Sequence, residues 1–358
     1  MRAVAKFLPL FLFLFLAACS SKSPVPEPSQ GENPFKGGGF LLEPSHTLHP
    51  LGGDFSRNPA AERFVDKMVR EHSFDRQQLH DVLAQAKQLD WVIKLMDRQA
   101  PVGPAPVGPN GAWLRYRAKF ITPDNIPNGV AFWQRYQNEL QRAYEVYGVP
   151  PEIIVGIIGV ETRWGRVMGK TRIIDALATL AFNYPRRADF FSAELETFLL
   201  MARTEGDDPL DLRGSYAGAM GYGQFMPSSF KQYAVDFNHD GHINLWDPVD
   251  AIGSVANYFK SHGWQRDGEV AIMANGQAPN LANGFNTQYS PGTLAAAGVS
   301  PQSSISGYQQ VSLLRLDMGN RYQYWYGLPN FYVITRYNHS THYAMAVWQL
   351  GQAVKMAR

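Results

Sequence analysis

The chain has 358 residues, with 33 Lys and Arg residues against 31 Asp and Glu residues, for a net charge of +2. This near balance lacks the basic excess of a nucleic-acid-binding protein, so we expect no nucleic acid among the partners. The length accommodates two or three domains, and the single cysteine excludes an internal disulfide bond.

The first 18 residues predict a secretory signal peptide. Arg2 and Lys6 supply positive charge, and the apolar run at 7–16 is about half of the roughly 20 residues that span a bilayer. Leu-Ala-Ala-Cys at 16–19 is typical of the lipobox of bacterial lipoproteins. We therefore expect cleavage before Cys19 and attachment of a lipid that anchors the chain to a membrane. Ser20 follows the cysteine, as in lipoproteins of the Gram-negative outer membrane that face the periplasm.

Residues 19–55 are rich in Pro, Gly and Ser and predict a flexible tether. Helical periodicity then begins, and we expect an N-terminal helical domain over 56–139 in which Asp75 caps the second helix. A second, larger domain covers 140–264 and 331–358, and a small β-rich subdomain covers 265–330. The expected fold class is thus mainly α, of the α+β type.

Three apolar segments near the C-terminus predict β-strands separated by turn residues. They span 311–316, 322–326 and 331–335, with Asp-Met-Gly-Asn after the first and Gly-Leu-Pro-Asn after the second. The segment at 340–356 has a helical pattern. Upstream, the aromatic and apolar residues at 132–147 recur at helical spacing and predict a helix that leads into the next segment.

The segment at 149–165 predicts a helix with a carboxylate on its apolar face. Pro151 suits the first turn, and Gly165 is the expected stop signal. Glu161 falls on the same stripe as Ile158 and the apolar residues before it. Burial and the negative end of the helix both raise the pKa of such a carboxyl, which suits a general acid. The alternative is an ordinary polar helix end that points to solvent.

A glycine-rich stretch at 213–229 combines polar and aromatic side chains. Its glycines let a ligand approach the backbone closely. Ser215 and Gln224 offer hydrogen bonds, and Phe225 offers apolar contact. This mixture suits a sugar, which has polar edges and apolar faces. A glycine-rich turn packed by aromatic residues is the alternative.

The segment at 236–247 fits a calcium-binding EF-hand loop through its eighth position, with glycine at position six. Position twelve departs from the pattern, because it is Asp instead of Glu, and the Pro that follows makes it a helix N-cap candidate as well. A single loop of this kind indicates a structural calcium ion rather than a sensor. The predicted ligands within 236–250 are Asp236, Asn238, Asp240, the carbonyl of His242, and either Asp247 or Asp250.

Tyr337, Asn338 and Tyr343 are suited to stacking on sugar rings and bonding their substituents. His339 and His342 lie between them, but a pair at this spacing without a third nearby ligand is not typical of a metal site. A plain helix N-terminus is the alternative for this segment.

Arg186 and Arg187 form a basic pair. On charge alone we interpret the pair as a solvated surface, and binding of an anionic group is the alternative.

Together these segments resemble the membrane-bound lytic murein transglycosylase B family, a branch of the lysozyme-like superfamily. The resemblance implies a lysozyme-like helical core, the glycan strands of peptidoglycan as substrate, a structural calcium ion and no organic cofactor. It also reverses the interpretation of the arginine pair, which would meet carboxylates of the substrate. The motifs that carry it are 160–165, 183–187, 216–227, the calcium loop, 247–258 and 337–338.

The resemblance further implies cleavage of the β-1,4 bond between N-acetylmuramic acid and N-acetylglucosamine by intramolecular transfer. Glu161 would protonate the glycosidic oxygen and then accept the proton of the muramoyl C6 hydroxyl, which leaves a 1,6-anhydromuramoyl end. Carried over by matching segment, the substrate-binding residues would be Tyr116, Arg186, Arg187, Ser215, Gln224, Phe225, Tyr258, Tyr337, Asn338 and Tyr343.

Two other functions stay open on the residues alone. A hydrolytic muramidase needs a second carboxylate to hold water, and Asp175, Glu194 and Asp211 are candidates without a motif. A lipoprotein that binds peptidoglycan without cleaving it is the other, but a binding module gains nothing from burying Glu161.

Overall fold

A computed structural model describes residues 49–98, 108–305 and 307–358. The predicted signal peptide, the lipidation site at Cys19 and the tether up to residue 48 lie outside these residues. Leu51 and Phe55 are buried, and Gly53–Phe55 forms a 3-10 helix. These residues, which the predicted tether includes, therefore contribute to the core.

The described residues are mainly helical. The helices, in chain order, are α1 Pro59–His72, α2 Arg76–Gln85, α3 Asp90–Arg98, α4 Ala112–Arg117, α5 Ile126–Arg135, α6 Gln137–Tyr147, α7 Pro151–Thr162, α8 Ile173–Asn183, α9 Ala188–Glu205, α10 Pro227–Tyr233, α11 Pro248–Ser261, α12 Pro291–Ala296, α13 Pro329–Tyr337 and α14 Thr341–Met356. The strands are β1 Thr171–Arg172, β2 Arg213–Gly214, β3 Ala271–Gly276, β4 Val299–Pro301, β5 Ser312–Asp317 and β6 Tyr322–Gly327.

Side-chain caps and prolines begin several of these helices. The Asp75 carboxylate accepts the Gln78 N–H at 2.8 Å, which confirms Asp75 as the N-cap of α2. The Ser340 hydroxyl caps α14 by accepting the Tyr343 N–H. Pro151 is the first residue of α7, where its fixed φ and missing N–H carry no penalty.

The chain divides into two compact units, each assembled from separated stretches. The described part of the first contains 108–167, 251–305 and 307–358, and that of the second contains 49–98 and 168–250. Residues 108–139 thus group with α7 rather than with α1–α3. The domain boundaries expected at 56, 140, 265 and 331 stay a prediction.

The first unit contains an antiparallel sheet with strand order β4-β3-β6-β5. In its register Met273 pairs with Trp325, and Leu314 pairs with Trp325 from the other side. Tyr326 and Leu313 are fully buried in the core of this sheet. The β-rich region expected within 265–330 is therefore present, and the fold class is confirmed as mainly α with small sheets.

Two of the secondary-structure elements predicted from the sequence are wrong. The segment 331–335 is not a strand but lies inside α13, because Pro329 takes the first helical position and its preset φ starts a helix. A short, continuously apolar run does not by itself distinguish a strand from a buried helix. The helical stripe at 132–147 is two helices, since the chain leaves helical geometry at Tyr136 (φ −113°, ψ 32°).

Among the described residues, no single helix has both the length and the apolarity to cross a membrane. Only α6 and α7 taken together meet that test, and they are bent by 115° at their junction.

Candidate active site

The site in the first unit is built on the packing of α7 against α14. An added Cβ at Gly156 would overlap the Val347 carbonyl oxygen, and one at Gly351 would overlap the Glu152 carbonyl oxygen. Glycine therefore allows the two helices to approach backbone to backbone. The pairing of 351 with 152 and 347 with 156 is antiparallel, and it brings the first turn of α14 to the last turn of α7.

Glu161 lies at that meeting point. Its Oε1 accepts a hydrogen bond of 2.6 Å from the Tyr343 hydroxyl, and its side chain keeps partial access to solvent. Burial raises the pKa of the Glu161 carboxyl from 4.5 to about 7, against the lowering effect of the Tyr343 bond. The direction of this shift is the one predicted. The carboxyl is thus half protonated near neutral pH, with one oxygen already engaged.

The sequence predicts one apolar face on α7, but the helix is buried more completely than that. Every residue of α7 from Glu152 to Val160 is buried, so the helix is surrounded by protein rather than amphipathic. Glu161, in its last turn, is partly exposed. The carboxyl of Glu161 therefore sits where a buried scaffold meets an accessible space.

The helix ends before the predicted stop at Gly165. Arg163 and Trp164 have φ of 50° and 56° and follow the last helical residue, Thr162. The indole N–H of Trp164 donates to the Val155 carbonyl oxygen at 3.0 Å, so the ring folds back along α7. Added Cβ atoms at Gly129 and Gly159 would meet this ring. This folded-back tryptophan fixes the end of α7, and no pattern in the sequence indicates it.

Aromatic side chains surround the carboxyl within the same unit. Tyr337 and Tyr343 are buried, and burial followed by the nearby Glu161 charge raises the pKa of both hydroxyls. Tyr258 lies 4.8 Å from Tyr337 between ring centroids and donates its hydroxyl to the Arg336 carbonyl oxygen at 2.7 Å. These tyrosines stay neutral and wall the site. Asn338 is buried beside Tyr337.

Tyr116 joins this group from α4. Burial, followed by the Glu161 charge, raises the pKa of its hydroxyl, which indicates that it faces the same carboxyl. Its hydroxyl oxygen is buried and has no hydrogen-bond partner in the described ranges. A buried hydroxyl without a partner is costly. Tyr116 is therefore poised to bond an atom that enters this space.

The position of α4 depends on a carboxylate from the sheet. Asp317, at the end of β5, accepts the N–H of Asn110 at 2.7 Å and of Gly111 at 2.8 Å, directly before α4. It also accepts the Gly319 N–H at 2.9 Å in the β5–β6 turn. Burial favours a higher pKa for Asp317, but these N–H bonds outweigh it and lower the pKa to about 2. The negative charge also suits the N-terminus of α4.

Ser215, Gln224 and Phe225 belong to the second unit. The Ser215 hydroxyl oxygen accepts the N–H of Ala217 at 3.2 Å and of Ala219 at 2.9 Å. Both Ser215 and Phe225 are buried, at 3% exposure each. Their observed roles are therefore to shape the glycine-rich loop, and their contact with substrate stays a prediction.

Gln224 has an unusual backbone conformation and an unusual hydrogen-bonding pattern. Its backbone has φ of 53°, and its Nε2 donates to the carbonyl oxygens of Met168 at 3.2 Å and Gly221 at 2.9 Å. These bonds orient the amide, and Oε1 is then a buried acceptor without a partner in the part of the chain that the structure describes. Strained backbone and an unsatisfied acceptor at one residue are typical of a binding site.

Arg186 and Arg187 lie in a 3-10 helix, Pro185–Arg187, that follows α8. The Arg186 side chain is 70% exposed, with Asp97 3.7 Å away. Arg187 lies over the Phe190 ring, 4.2 Å from its centroid, and burial lowers the pKa of its guanidinium. The two are not equivalent, since Arg186 faces solvent and Arg187 is stacked on an aromatic face.

The predicted calcium loop is organised by its own carboxylates. Asp236 accepts the N–H groups of His239, Asp240 and Gly241, and Asp240 accepts the His242 N–H at 2.9 Å. His239 and Gly241 have φ of 64° and 94°, which gives the loop its sharp turn. This hard-oxygen donor set, on a tightly turned loop, fits a calcium ion.

Asp247 and Asp250 accept hydrogen bonds from different parts of the chain. Asp247 accepts the Val249 N–H at 2.6 Å, as an N-cap of α11 does. Asp250 is fully buried and accepts the N–H groups of Phe237, Asn238 and Asn244. It therefore draws both sides of the loop together, which favours Asp250 over Asp247 as the closing residue.

The calcium loop is bonded to the glycine-rich loop. The Tyr222 N–H donates to the Leu245 carbonyl oxygen at 2.9 Å, and an added Cβ at Gly221 would overlap that carbonyl. The Trp246 indole N–H donates to the Arg213 carbonyl oxygen at 3.0 Å. The calcium loop therefore helps to hold the loop that carries Gln224 in place.

The other candidate carboxylates have structural partners or lie at the surface. Asp175 accepts the Lys87 N–H at 2.9 Å and the Arg172 guanidinium at 2.8 Å. Glu194 accepts the Ser228 N–H and hydroxyl at 2.9 Å and 2.6 Å. Asp211 is exposed.

Histidines do not form a metal centre with them in the described ranges. His342 lies against the ring of Trp113, and His339 lies near Phe285. One cluster of metal-ligand type, Glu71, His72 and Glu196, is found among the described residues. Lys67 also binds Glu196, so this cluster is an ion-pair network.

Comparison with known proteins gives consistent matches. The family model described as Transglycosylase SLT domain matches residues 56–352. The membrane-bound lytic murein transglycosylase B of Escherichia coli (strain K12) is 74% identical over 323 residues, which cover 90% of each chain.

Solved structures agree with this. The Escherichia coli lytic transglycosylase SLT35 in complex with calcium superposes with a TM-score of 0.85 at 72% identity, covering 89% of this chain and 99% of that one. SltB3 from Pseudomonas aeruginosa, in complex with NAG-anhNAM-pentapeptide, has a TM-score of 0.73 at 30% identity, covering 82% and 78%.

Proposed function

Because the chain belongs to the Transglycosylase SLT domain family, we propose that it is a lytic murein transglycosylase in which Glu161 is both the acid and the base. The observation that carries this proposal is the state of Glu161. Burial brings the pKa of its carboxyl to about 7 while Tyr343 occupies Oε1. A general acid works best when its pKa lies near the working pH.

The first step needs a proton on the oxygen that Tyr343 does not bind. With Oε1 accepting from Tyr343, the protonated carboxyl carries its hydrogen on Oε2. That proton passes to the glycosidic oxygen as the bond to the muramoyl C1 breaks, and N-acetylglucosamine leaves with a free hydroxyl. Glu161 is then a carboxylate, and the Tyr343 hydrogen bond is stronger to this charged form.

The second step returns the proton. The muramoyl C6 hydroxyl attacks C1, its oxygen forms the new bond, and its proton passes to the Glu161 carboxylate. The products are a 1,6-anhydromuramoyl end and a free N-acetylglucosamine end, and no water is consumed. SltB3 was solved with an anhydro sugar of this kind, NAG-anhNAM-pentapeptide, which supports this outcome for a relative.

A hydrolytic reaction is the less supported alternative. It needs a second carboxylate to activate water. Asp175 and Glu194, two of the candidates, already accept backbone or side-chain hydrogen bonds that hold the second unit together. A protein that only binds peptidoglycan is also less supported, because it would bear the cost of burying Glu161 without using it.

The remaining substrate contacts are proposed residue by residue. In the first unit, Tyr116, Tyr258, Tyr337, Asn338 and Tyr343 line the space around Glu161. In the second unit, Gln224 has an oriented acceptor for a substrate N–H or O–H, and Arg186 is exposed for a substrate carboxylate. Ser215, Phe225 and Arg187 are proposed to support these contacts.

Calcium is proposed as a structural ion of the loop at 236–250. The donors are the side chains of Asp236, Asn238, Asp240 and Asp250 with the carbonyl of His242. When bound, the ion supplies charge compensation for these clustered carboxylates. The residues of this chain then hold the glycine-rich loop through Leu245 and Trp246. SLT35, solved in complex with calcium, is the relative that supports the assignment.

A lipid on Cys19 is proposed to anchor the chain to the outer membrane, facing the periplasm. The Escherichia coli relative is named a membrane-bound enzyme, and the lipobox supplies the chemistry of attachment in this chain. Purification of membranes from cells grown with a labelled fatty acid tests this. Label on the wild-type chain and none on a Cys19→Ala variant is the expected result, and label on both contradicts it.

The activity is tested by digestion of purified peptidoglycan with the chain lacking residues 1–19. Mass spectrometry of the soluble fragments should show muropeptides lighter by one water than hydrolysis products, with no reducing muramoyl end. Reducing ends would identify a hydrolase, and binding without release would identify a scaffold.

A further inference from the structure

Trp91 lies at the surface of the second unit and has no role in the proposed reaction. It is 48% exposed, and it is the one large hydrophobic residue of the described part of that unit with such exposure. Its ring lies 6.4 Å from the ring of Tyr216 between centroids, with an interplanar angle of 58°. Tyr216 directly follows Ser215 in the glycine-rich loop. The exposed indole thus lies beside a proposed sugar-binding loop.

The exposure of Trp91 is built into a rigid part of the fold. The Lys87 N–H donates to Asp175 at 2.9 Å, and the Leu89 N–H donates to the Thr179 hydroxyl at 2.9 Å, so α8 holds the segment before α3. Val92, the next residue, is fully buried. The backbone of Trp91 is thus fixed on both sides, and its side chain is directed outward by this arrangement.

Tyr216 is positioned by the same helix. Gly218 has φ of 89°, and an added Cβ there would overlap Leu177 of α8. The Ser215 N–H donates to the Ala219 carbonyl oxygen at 2.9 Å, which closes the turn around Tyr216. Because α8 supports both aromatic residues, Trp91 is held against Tyr216 in advance, and a ligand that stacks on Trp91 loses little entropy by ordering it.

We propose that Trp91, supported by the buried ring of Tyr216, forms a platform that binds a pyranose ring of the glycan strand. The proposal rests on the proposed function and adds a specificity-determining residue to it. The apolar C–H face of a sugar packs on the indole, and the indole N–H is a donor for a ring substituent. Such aromatic side chains supply large contact area at low conformational entropy.

The surroundings of Trp91 favour a sugar over an apolar partner. The exposed face of α3 also carries the charged residues Asp90, Lys94 and Asp97. A lone aromatic residue among charges is not the contiguous apolar patch that a protein interface or a membrane requires. It suits a ligand that is polar at its edges and apolar on its face.

The test measures binding without turnover, in a Glu161→Gln background, by isothermal titration calorimetry. The probe is a soluble peptidoglycan octasaccharide whose stem peptides have been removed. We expect Trp91→Ala to weaken binding about tenfold, and Trp91→Phe to retain most of the affinity. Tyr332→Ala, which removes a 45% exposed aromatic residue of the first unit, is the matched control and should leave affinity unchanged.

Two results would overturn the proposal. One is an unchanged affinity in Trp91→Ala with an unchanged melting temperature, and the other is no measurable binding of the octasaccharide to the protein with Trp91 intact. A failure of the proposed reaction can be distinguished from a failure of the proposed sugar platform. If wild-type enzyme releases no anhydro product while Trp91→Ala still weakens binding, the platform stands and the proposed reaction fails.

Discussion

The hydroxyl of Tyr343 donates a hydrogen bond of 2.6 Å to Oε1 of Glu161, across 182 residues of sequence. This contact exists because glycines at 156 and 351 let α7 and α14 meet at backbone distance. It reserves one carboxyl oxygen as an acceptor and leaves the other to carry the transferable proton. The bond also opposes the effect of burial on the pKa of Glu161. Tyr343 therefore positions the carboxyl and tunes its acidity.

Replacement of Tyr343 by Phe should lower kcat/KM by roughly 10- to 100-fold, since hydrogen bonds to a charged group contribute about 1.5–3 kcal/mol. Because the Tyr343 bond lowers the pKa of Glu161, its loss should also move the alkaline limb of the pH profile upward. Rates of peptidoglycan release across pH measure both effects. A variant with the wild-type profile would show that the bond has no functional role.

The pH dependence of wild-type activity follows from the protonated form of Glu161. With its pKa at about 7, kcat/KM should be level below that pH and fall above it, as the acid is lost. An alkaline limb near the ordinary glutamate pKa, or none up to pH 9, would remove Glu161 as the acid. Glu161→Gln has no such group, and any residual activity in it should lack this limb.

The same shift predicts an effect on stability. A carboxyl whose folded pKa is raised contributes stability that is fully present below the unfolded pKa, here 4.5, and is lost as pH rises through about 7. The melting temperature of wild type, measured relative to Glu161→Gln, should therefore fall between these two pH values. A constant difference across this window would contradict the burial of the charge.

Asp317→Ala should lower both stability and activity without touching a residue that faces Glu161. It removes the acceptor for the N–H groups of Asn110 and Gly111 and so loosens α4, which carries Tyr116. The pKa of Asp317 is lowered to about 2, so its contribution is present above pH 3.8 and disappears as pH falls through about 2.

We expect a melting temperature several degrees lower for Asp317→Ala at neutral pH, together with reduced kcat. The exposed Asp124 of the same unit provides the control, and Asp124→Ala should match wild type. Equal melting of all three proteins would show that Asp317 does not hold α4.

Calcium should raise the melting temperature of wild type, because a ligand bound only by the native state stabilises it, by about 2.7 kcal/mol at a hundredfold excess over Kd. Asp240→Ala and Asp250→Asn should abolish the response, whereas Asp247→Asn should keep it, since Asp247 caps α11. Asp211→Ala serves as the surface control. Retention of the response in Asp250→Asn and its loss in Asp247→Asn would reverse the assignment of the closing residue.

Much of this site could be predicted from local sequence. The helix around Glu161, the turn pattern of the calcium loop and the cap at Asp75 depend on residues a few positions apart, where spacing and capping chemistry act directly. The strand predicted at 331–335 is wrong for an equally local reason. The proline that starts α13 favours a helix, and this effect outweighs the preference of the β-branched residues for a strand.

The long-range contacts could not be predicted. Asp317 reaches Gly111 across 206 residues, and nothing near either residue indicates the pairing. Trp164 was visible in its motif, but its ring folds back on Val155 only because Gly129 and Gly159 leave room for it. The buried Tyr116 hydroxyl, which has no hydrogen-bond partner among the described residues, likewise depends on long-range packing, such as the contact of its ring with His342.

The central claim is that one carboxyl, Glu161, serves as both acid and base. The most direct test is digestion of purified peptidoglycan by Glu161→Gln, with mass spectrometry of the released fragments and the melting temperature measured on the same sample. We predict a folded protein whose release of 1,6-anhydromuropeptides falls by at least roughly a hundredfold, the lower range for loss of a general acid. Release at the wild-type rate by that folded variant would contradict the claim.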